Sequence, residues 1–275
     1  MSEMLSYIKK DSFIHRLSGS TKLICFLLFS LASMITYDTR VLLLMLFVGM
    51  ISFKISKIEF KEIAIVLYFI LFFLMINSFI IFLFSPLEGT KIYDSETVLF
   101  TLFGPYKVTS EQLFYQLNVI LKYLATIPIA LLFMLTTEPS EFASSLNKIG
   151  VNYKAAYSVS IALRYIPDIQ RDYKDIAFAQ QARGIDMSKD EKILVRLKNA
   201  SSILTPLIFS SLERIDKVSL AMELRAFGNG KNRTWYNQRN LTKEDYVAIV
   251  MFALLVVLSI VMLNINGSRF YNPFI

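Results

Sequence analysis

The sequence predicts an all-α polytopic membrane protein with about five transmembrane helices and a cytosolic domain of two long helices and a short one. Two observations support this fold class. Hydrophobic residues make up 55% of the 275 residues and the mean hydropathy is +0.50, which is above the range typical of soluble domains. In addition, the apolar residues are concentrated in long segments, with most charged residues lying between them.

Five apolar segments are candidates for membrane spans. The third and fifth are long enough, at about 1.5 Å per residue, to cross a hydrocarbon core of roughly 30 Å. The second is short and is expected to extend through Lys54 and Lys57, whose ammonium groups can reach the interface. The fourth contains Lys122 and Pro128. In chain order, the segments are Leu23–Tyr37, Val41–Phe53, Ile63–Phe84, Leu113–Thr136 and Tyr246–Ile265.

The distribution of lysine and arginine predicts the orientation of these spans. Basic residues dominate the segment before the first span and the loop between the second and third, whereas acidic residues outnumber them between the third and fourth. We therefore expect the N-terminus inside and the C-terminus outside. The expected parts are an N-terminal membrane part at 1–137, a cytosolic helical domain at 138–240, and a last transmembrane helix with an outer tail at 241–275.

The long inner stretch has the pattern of one short and two long helices. The short helix covers Glu138–Lys148. The first long helix covers Asn152–Arg183 and stops at Gly184, because glycine readily adopts the left-handed conformation that ends a helix. A capping box at 188–191 opens the second long helix, which stops at Gly228. Each long helix contains a proline some four to five turns before an arginine near its end, Pro167 before Arg183 and Pro206 before Arg225.

The two long helices end in similar motifs, QARGI at 181–185 and MELRAFG at 222–228. One interpretation is structural, because a basic residue in the last turn offsets the helix dipole by about 0.3–1 kcal/mol. The other is a docking role. Small neighbours (Ala182, Gly184 and Ala226) leave the guanidinium groups accessible to a partner groove, and the arginine fork suits carboxylates and carbonyls. The recurrence of the motif on paired helices favours docking.

Two other sets of ionisable residues have open interpretations. Lys122 inside the fourth span is a functional candidate, because charges at membrane depth are costly. Equally, it could lie near the interface or pair locally within the bundle. A run of charged residues follows Pro167, and the i,i+3 and i,i+4 spacing of four of them predicts a solvated helix face. These residues are Asp168, Arg171, Asp172 and Asp175.

Several functional classes lack the residues they require. The single histidine, His15, and the single cysteine, Cys25, leave no constellation for catalysis or for metal binding. No GxxxxGK[ST] phosphate-binding loop occurs. The net charge of +7 reflects the basic cytosolic loops rather than nucleic-acid binding, since acidic residues are interleaved with the basic ones. A stand-alone secondary transporter or another permease of the ABC type is the alternative, but the spans show no internal repeat.

Several motifs together resemble a known family. They are HRLSGSTKL at 15–23, TTEPSEFASSLNKIGV at 136–151, ALRYIP at 162–167, QARGI at 181–185 and AMELRAFG at 221–228. In this combination the chain resembles, over nearly its whole length, the transmembrane T component of energy-coupling factor transporters. These are ABC-type prokaryotic importers of vitamins and metal ions. The second arginine motif departs from the commoner alanine-arginine-glycine form.

The resemblance implies a non-catalytic coupling subunit in the cell membrane. Two cytosolic ABC-type ATPase subunits would bind ATP and Mg²⁺, and a separate membrane subunit, the S component, would bind the vitamin or ion. It further implies that the arginines dock into grooves on the ATPases through two triplets, Ala182–Arg183–Gly184 and Leu224–Arg225–Ala226. The apolar faces of the long helices would contact the S component, with packing inside this chain as the alternative. The positions concerned are Ile161, Leu163, Ile203, Leu207 and Ile208.

Overall fold

The computed structural model of the chain describes residues 8, 10–103, 106–185, 193–230, 234–235 and 239–274. These residues form two compact units. The membrane unit comprises the described residues up to Glu138 together with those from Arg239 onward. The long-helix unit comprises the described residues from Pro139 to 235.

Helices account for nearly all of the regular structure in the described ranges. A single two-stranded antiparallel hairpin is the exception there. In chain order, the elements are α1 (Phe13–Arg16), α2 (Gly19–Ile35), α3 (Thr39–Ser56), α4 (Phe60–Phe84), α5 (Glu88–Tyr93), β1 (Val98–Phe103), β2 (Tyr106–Thr109), α6 (Ser110–Thr136), α7 (Pro139–Lys148), α8 (Tyr153–Ala182), α9 (Ile193–Leu224) and α10 (Lys243–Asn266).

Four helices in the described ranges, α3, α4, α6 and α10, are long and apolar enough to cross a membrane. A fifth apolar helix, α2, is shorter, with 17 residues. These five coincide with the predicted segments, and the all-α membrane fold is confirmed. The second span extends through Lys54 as expected but not through Lys57, which has a left-handed backbone (φ 60°) and ends α3. Helix α6 continues through Pro128.

The core of the membrane unit lies between α2, α3, α6 and α10. Phe29 of α2, Met45 of α3 and Ala125 of α6 are fully buried, and the ring of Phe29 packs 5.8 Å from that of Phe252 in α10. By contrast, α4 is apolar all round and buries only two residues. A helix of that kind is stable when lipid covers it, which agrees with a membrane span.

Buried polar contacts join the first turns of α2 and α10. Ser18 caps α2 through its side chain, and its own backbone N–H donates to Oδ1 of Asp245 over 2.9 Å. Asp245 also accepts from the backbone N–H of Thr242 in a capping box. Close by along α2, Lys22 Nζ donates to the carbonyl of Thr136 at the end of α6, over 2.7 Å. These bonds satisfy helix-end groups that burial would otherwise leave without partners.

The connection between α4 and α6 contains α5 and the β1–β2 hairpin, neither of which was expected from the sequence pattern. Glu111 in the first turn of α6 is buried and accepts hydrogen bonds from the backbone N–H and the hydroxyl of Thr97, at 3.0 and 2.7 Å. Gly89 of α5 approaches the same turn so closely that a Cβ there would lie 2.4 Å from the carbonyl oxygen of Glu111. This close approach positions α5 against α6.

In the long-helix unit, α8 and α9 are antiparallel neighbours. Gln180 near the end of α8 donates to the carbonyl of Ser202 near the start of α9, over 3.0 Å. At the other end, the ring of Tyr157 packs 4.6 Å from that of Phe227, just beyond α9. The predicted short and first long helices are confirmed as α7 and α8, and α8 is capped by Asn152. The predicted capping box at 188–191 lies outside the described residues.

Candidate functional site

The end of α8 has the hydrogen-bond pattern of a Schellman motif, with Arg183 as its C-cap. The backbone N–H of Gly184 donates to the carbonyl of Gln181 over 2.9 Å, and that of Ile185 donates to the carbonyl of Gln180 over 3.1 Å. Gly184 has a φ of +84°, and a Cβ there would meet no atom of the described residues within 4 Å. The glycine therefore supplies the left-handed backbone that the motif requires, and none of the described residues crowds it.

The end of α9 repeats this motif around Arg225. The backbone N–H of Ala226 donates to the carbonyl of Glu223, and that of Phe227 donates to the carbonyl of Met222, both over 2.9 Å. Ala226 occupies the left-handed position with a φ of +54°. The second motif thus has Ala226 where the commoner form has glycine, but its backbone conformation is the same as that of the first motif. Arg183 and Arg225 hold equivalent positions, each one residue before the left-handed turn.

Both arginines are exposed. Within the described part of the chain, neither guanidinium group forms a hydrogen bond or an ion pair. The flanking Ala182 and Gly184 are exposed too, and Leu224 is 80% exposed. The two triplets thus present charged and apolar surface that no described residue covers, as a docking surface requires.

The antiparallel pairing places the two arginines at opposite ends of the helix pair. Arg183 lies at the end where Gln180 contacts Ser202. Arg225 lies at the end where Phe227 contacts Tyr157. At about 1.5 Å per residue, the stretch from Tyr157 to Gln180 is roughly 35 Å long. The two arginines are therefore separated by about the length of α8.

A groove beside Arg225 contains a second arginine that was not among the residues predicted from the sequence. Arg164 of α8 and Arg225 line the same groove, whose volume is about 270 Å³. Arg164 belongs to the ALRYIP motif and is exposed. The signal that could have identified it is its spacing, since Arg164 follows Tyr157 and Ile161 by seven and three positions and so shares their helix face.

An ion-pair cluster joins α8 and α9 near their middle. Arg214 of α9 contacts Asp172 and Asp168 of α8 at 2.5 and 3.8 Å, and its guanidinium group lies 5.6 Å from the centre of the Tyr165 ring. Arg171 forms only a local pair with Asp168. The prediction of a solvated face was therefore wrong for the two aspartates that Arg214 bridges. Sequence spacing within one helix could not reveal a partner 42 positions away.

The five apolar positions predicted to face a partner differ in exposure. Ile208 is 56% exposed, whereas Ile203 is 1% exposed and has no surface available to another subunit. Leu207, Ile161 and Leu163 are partly buried. Packing inside the chain, the alternative considered from the sequence, accounts for Ile203.

Lys122 lies over an aromatic ring inside the membrane unit. Its ammonium group is 3.7 Å from the centre of the Tyr37 ring. Tyr37 in turn stacks on Phe270 of the C-terminal segment, with ring centres 4.8 Å apart. A cation–π contact of this kind offsets part of the cost of placing a charge in the membrane. Of the sequence-based alternatives, local pairing within the bundle matches this geometry.

The chain is similar to one protein family and to several curated proteins over most of its length. The family described as cobalt transport protein (CbiQ) matches residues 10–236, a range that includes both arginine motifs. Among curated relatives, a protein of Lactococcus lactis is 29% identical over 262 residues, covering 92% of this chain and 95% of its own. A protein of Exiguobacterium sibiricum is 29% identical and covers 95% and 98%. One of Bacillus subtilis is 28% identical and covers 92% and 94%. All three are named energy-coupling factor transporter transmembrane protein EcfT.

Proposed function

The chain belongs to the cobalt transport protein (CbiQ) family, and on that premise we propose that it is the transmembrane coupling subunit of an energy-coupling factor transporter. In this role it links ATP hydrolysis by two cytosolic ATPase subunits to the uptake of a vitamin or a metal ion. A separate membrane subunit, the S component, carries the substrate. Membership of the family does not favour a stand-alone secondary transporter.

The observation that carries this proposal is the equivalence of Arg183 and Arg225. Two exposed arginines occupy the same position of the same helix-ending motif, at opposite ends of one antiparallel helix pair. Each arginine docks into a groove of one ATPase subunit, where its fork of donors binds carboxylates or backbone carbonyls. Ala182, Gly184 and Ala226 are small enough to let the groove close around the guanidinium group, and Leu224 adds apolar contact.

Long helices suit the transmission of movement. When the ATPases close on ATP and Mg²⁺, their grooves move and displace the helix ends held in them. The hydrogen-bond ladder of an α-helix resists compression, so α8 and α9 transmit the displacement along their length. The ion pairs of Arg214 with Asp168 and Asp172 tie the two helices together. The chain itself holds no nucleotide and performs no catalysis.

The remaining exposed apolar surface of the long helices suits contact with the S component. Ile208 is the most exposed of the predicted positions, and Leu207, Ile161 and Leu163 keep part of their surface. Small partly exposed areas of this kind contribute to an interface through burial of apolar surface. We place the N-terminus inside and the C-terminus outside the prokaryotic cell membrane, since basic residues concentrate in the segments assigned to the inside.

The test is a comparison of Arg183→Ala, Arg225→Ala and the double variant in the complete transporter. Losing a desolvated charge contact at an interface costs roughly 2–5 kcal/mol. Each single variant should therefore reduce co-purification of the ATPases and transport, and the double variant should reduce them further. Arg171→Ala is the matched control, because Arg171 is an exposed arginine of α8 away from both motifs. Undiminished attachment and transport in the double variant would refute the proposal.

A further inference from the structure

We propose that the groove beside Arg225 receives acidic side chains of one ATPase subunit, with Arg164 as a second basic contact. This inference rests on the proposed function and extends it, because it makes the two docking ends chemically different. The Arg183 end presents its arginine at a helix tip. At the other end, Arg225 and Arg164 both line a groove between α8 and α9.

The groove is built by one face of each helix. On α8, Tyr157, Ile161 and Arg164 are four and three positions apart, so they lie on one side of the helix. On α9, Val218, Met222 and Arg225 follow the same spacing. Because the helices are antiparallel, the two faces oppose each other along the groove. The result is an apolar floor with a guanidinium group contributed by each helix.

The charge of the groove is not balanced by its own walls. None of its nine lining residues carries a carboxylate. In the described part of the chain, neither Arg164 nor Arg225 has an ion-pair partner, whereas Arg214 nearby has two. A further ammonium group lies close by, since a Cβ at Gly228 would be 3.5 Å from Lys154 Nζ. Basic groups that line one groove without a carboxylate among its walls attract an anion, so the groove favours an acidic ligand.

The shape of the groove favours side chains over a larger ligand. Its volume of about 270 Å³ is below the range of roughly 300–1,000 Å³ typical of sites for drug-sized molecules and cofactors. Aromatic rings stand at both ends, Tyr157 with Phe227 at one end and Tyr165 at the other. Glutamate or aspartate side chains fit this space, with their carboxylates on the guanidinium forks and their methylene groups on the floor.

The experiment measures the affinity of the purified ATPase subunits for the full-length protein in nanodiscs. The variants are Arg164→Ala, Arg225→Ala, Arg183→Ala and the pairwise combinations with Arg164→Ala. We expect Arg164→Ala to weaken binding about tenfold or more. Combined with Arg225→Ala, Arg164→Ala should reduce the affinity little further, because both substitutions remove the same contact region. Combined with Arg183→Ala, it should reduce the affinity by the same factor as on its own, because that end of the helix pair is separate. Arg164→Lys should retain part of the affinity, and Arg171→Ala should match the unmodified protein.

Three results would overturn the inference. If Arg225→Ala weakens binding and Arg164→Ala does not, the groove does not bind the ATPase subunit. The proposed function is unaffected by that result. If neither Arg183→Ala nor Arg225→Ala weakens binding, the proposed function fails and the inference fails with it. If the loss in Arg164→Ala occurs only in nanodiscs of anionic lipid, the groove binds lipid headgroups instead. Should Arg164→Ala fold poorly, Arg164→Gln, which keeps a polar side chain and its methylene groups but removes the charge, takes its place in the same comparisons.

Discussion

Gly184 and Ala226 occupy the same position in the turns that end α8 and α9, each with a positive φ, +84° and +54°. The same pair of backbone hydrogen bonds surrounds each residue. A glycine adopts this conformation without steric cost, whereas an alanine Cβ crowds the neighbouring carbonyl. The two helix ends therefore share one geometry but differ in the strain that they contain.

The first prediction follows from that difference. Ala226→Gly should relieve the strain and stabilise the protein by up to about 1 kcal/mol, less the backbone entropy that glycine loses on folding. Gly184→Ala should destabilise it by a similar amount. Thermal unfolding of the purified protein measures both changes. A fall in unfolding temperature for Ala226→Gly would contradict this account of the α9 terminus.

The second prediction concerns the cluster around Arg214. Arg214→Ala removes the bridge between the helices and leaves Asp168 and Asp172 as neighbouring like charges, so unfolding should become easier by about 1–3 kcal/mol. Arg171→Ala is the control, because its side chain is 73% exposed and pairs only within α8. Limited proteolysis of the long-helix unit and thermal unfolding report the effect. Equal behaviour of the two variants would show that the cluster does not hold α8 to α9.

The third prediction is a dependence of stability on pH through His15. Nε2 of His15 faces the carbonyl of Ile8 at 2.9 Å and therefore carries the proton, which leaves Nδ1 to accept from the Ser12 hydroxyl at 2.7 Å. Burial lowers the pKa of His15, and the nearby charge of Lys22 acts in the same direction. The unfolded chain then binds a proton at higher pH than the folded protein does.

The contribution of His15 to the free energy of unfolding should therefore be constant above the ordinary pKa of 6.5. Below that pH, the protein should become less stable as the pH falls. The measurement is the unfolding temperature between pH 7.5 and pH 5.5, in about half-unit steps, for the protein and for His15→Gln. Glutamine keeps a donor for the Ile8 carbonyl but does not titrate in this range. If the variant shows the same decline with acidification, another group is responsible.

The fourth prediction tests the contact between Lys122 and Tyr37. Tyr37→Leu removes the ring under the ammonium group and should destabilise the protein by about 1–2 kcal/mol. Tyr37→Phe keeps a ring at the same place, so most of the stability should remain. Thermal unfolding in detergent distinguishes the two variants. Similar losses in both would mean that the hydroxyl group, not the ring, matters at this position.

Properties that depend on neighbours in the chain could be predicted from the sequence. The five apolar helices, the short helix α7 and both ends of α8 are set by hydropathy over about twenty residues, by caps and by glycine stops, all of which are local. The two arginine motifs were recognisable for the same reason, since each is defined by a few consecutive residues near the end of a helix.

Contacts between distant residues were decided only by the tertiary structure. Gly89 lies against Glu111, Arg214 reaches Asp172, and Ile203 is buried although its helical spacing is the same as that of exposed positions. The hairpin and α5 also depend on such contacts, because short elements are not stable without neighbours to pack against. The sequence by itself thus determined the long helices and the placement of an arginine near the end of α8 and of α9. The exact end of α9 was not determined in this way, because the predicted stop was Gly228 and the helix ends at Leu224. Which side chains meet across α8 and α9, and which residues line the groove that includes Arg164 and Arg225, depends on how the helices pack. Packing is a property of the whole unit rather than of any one segment.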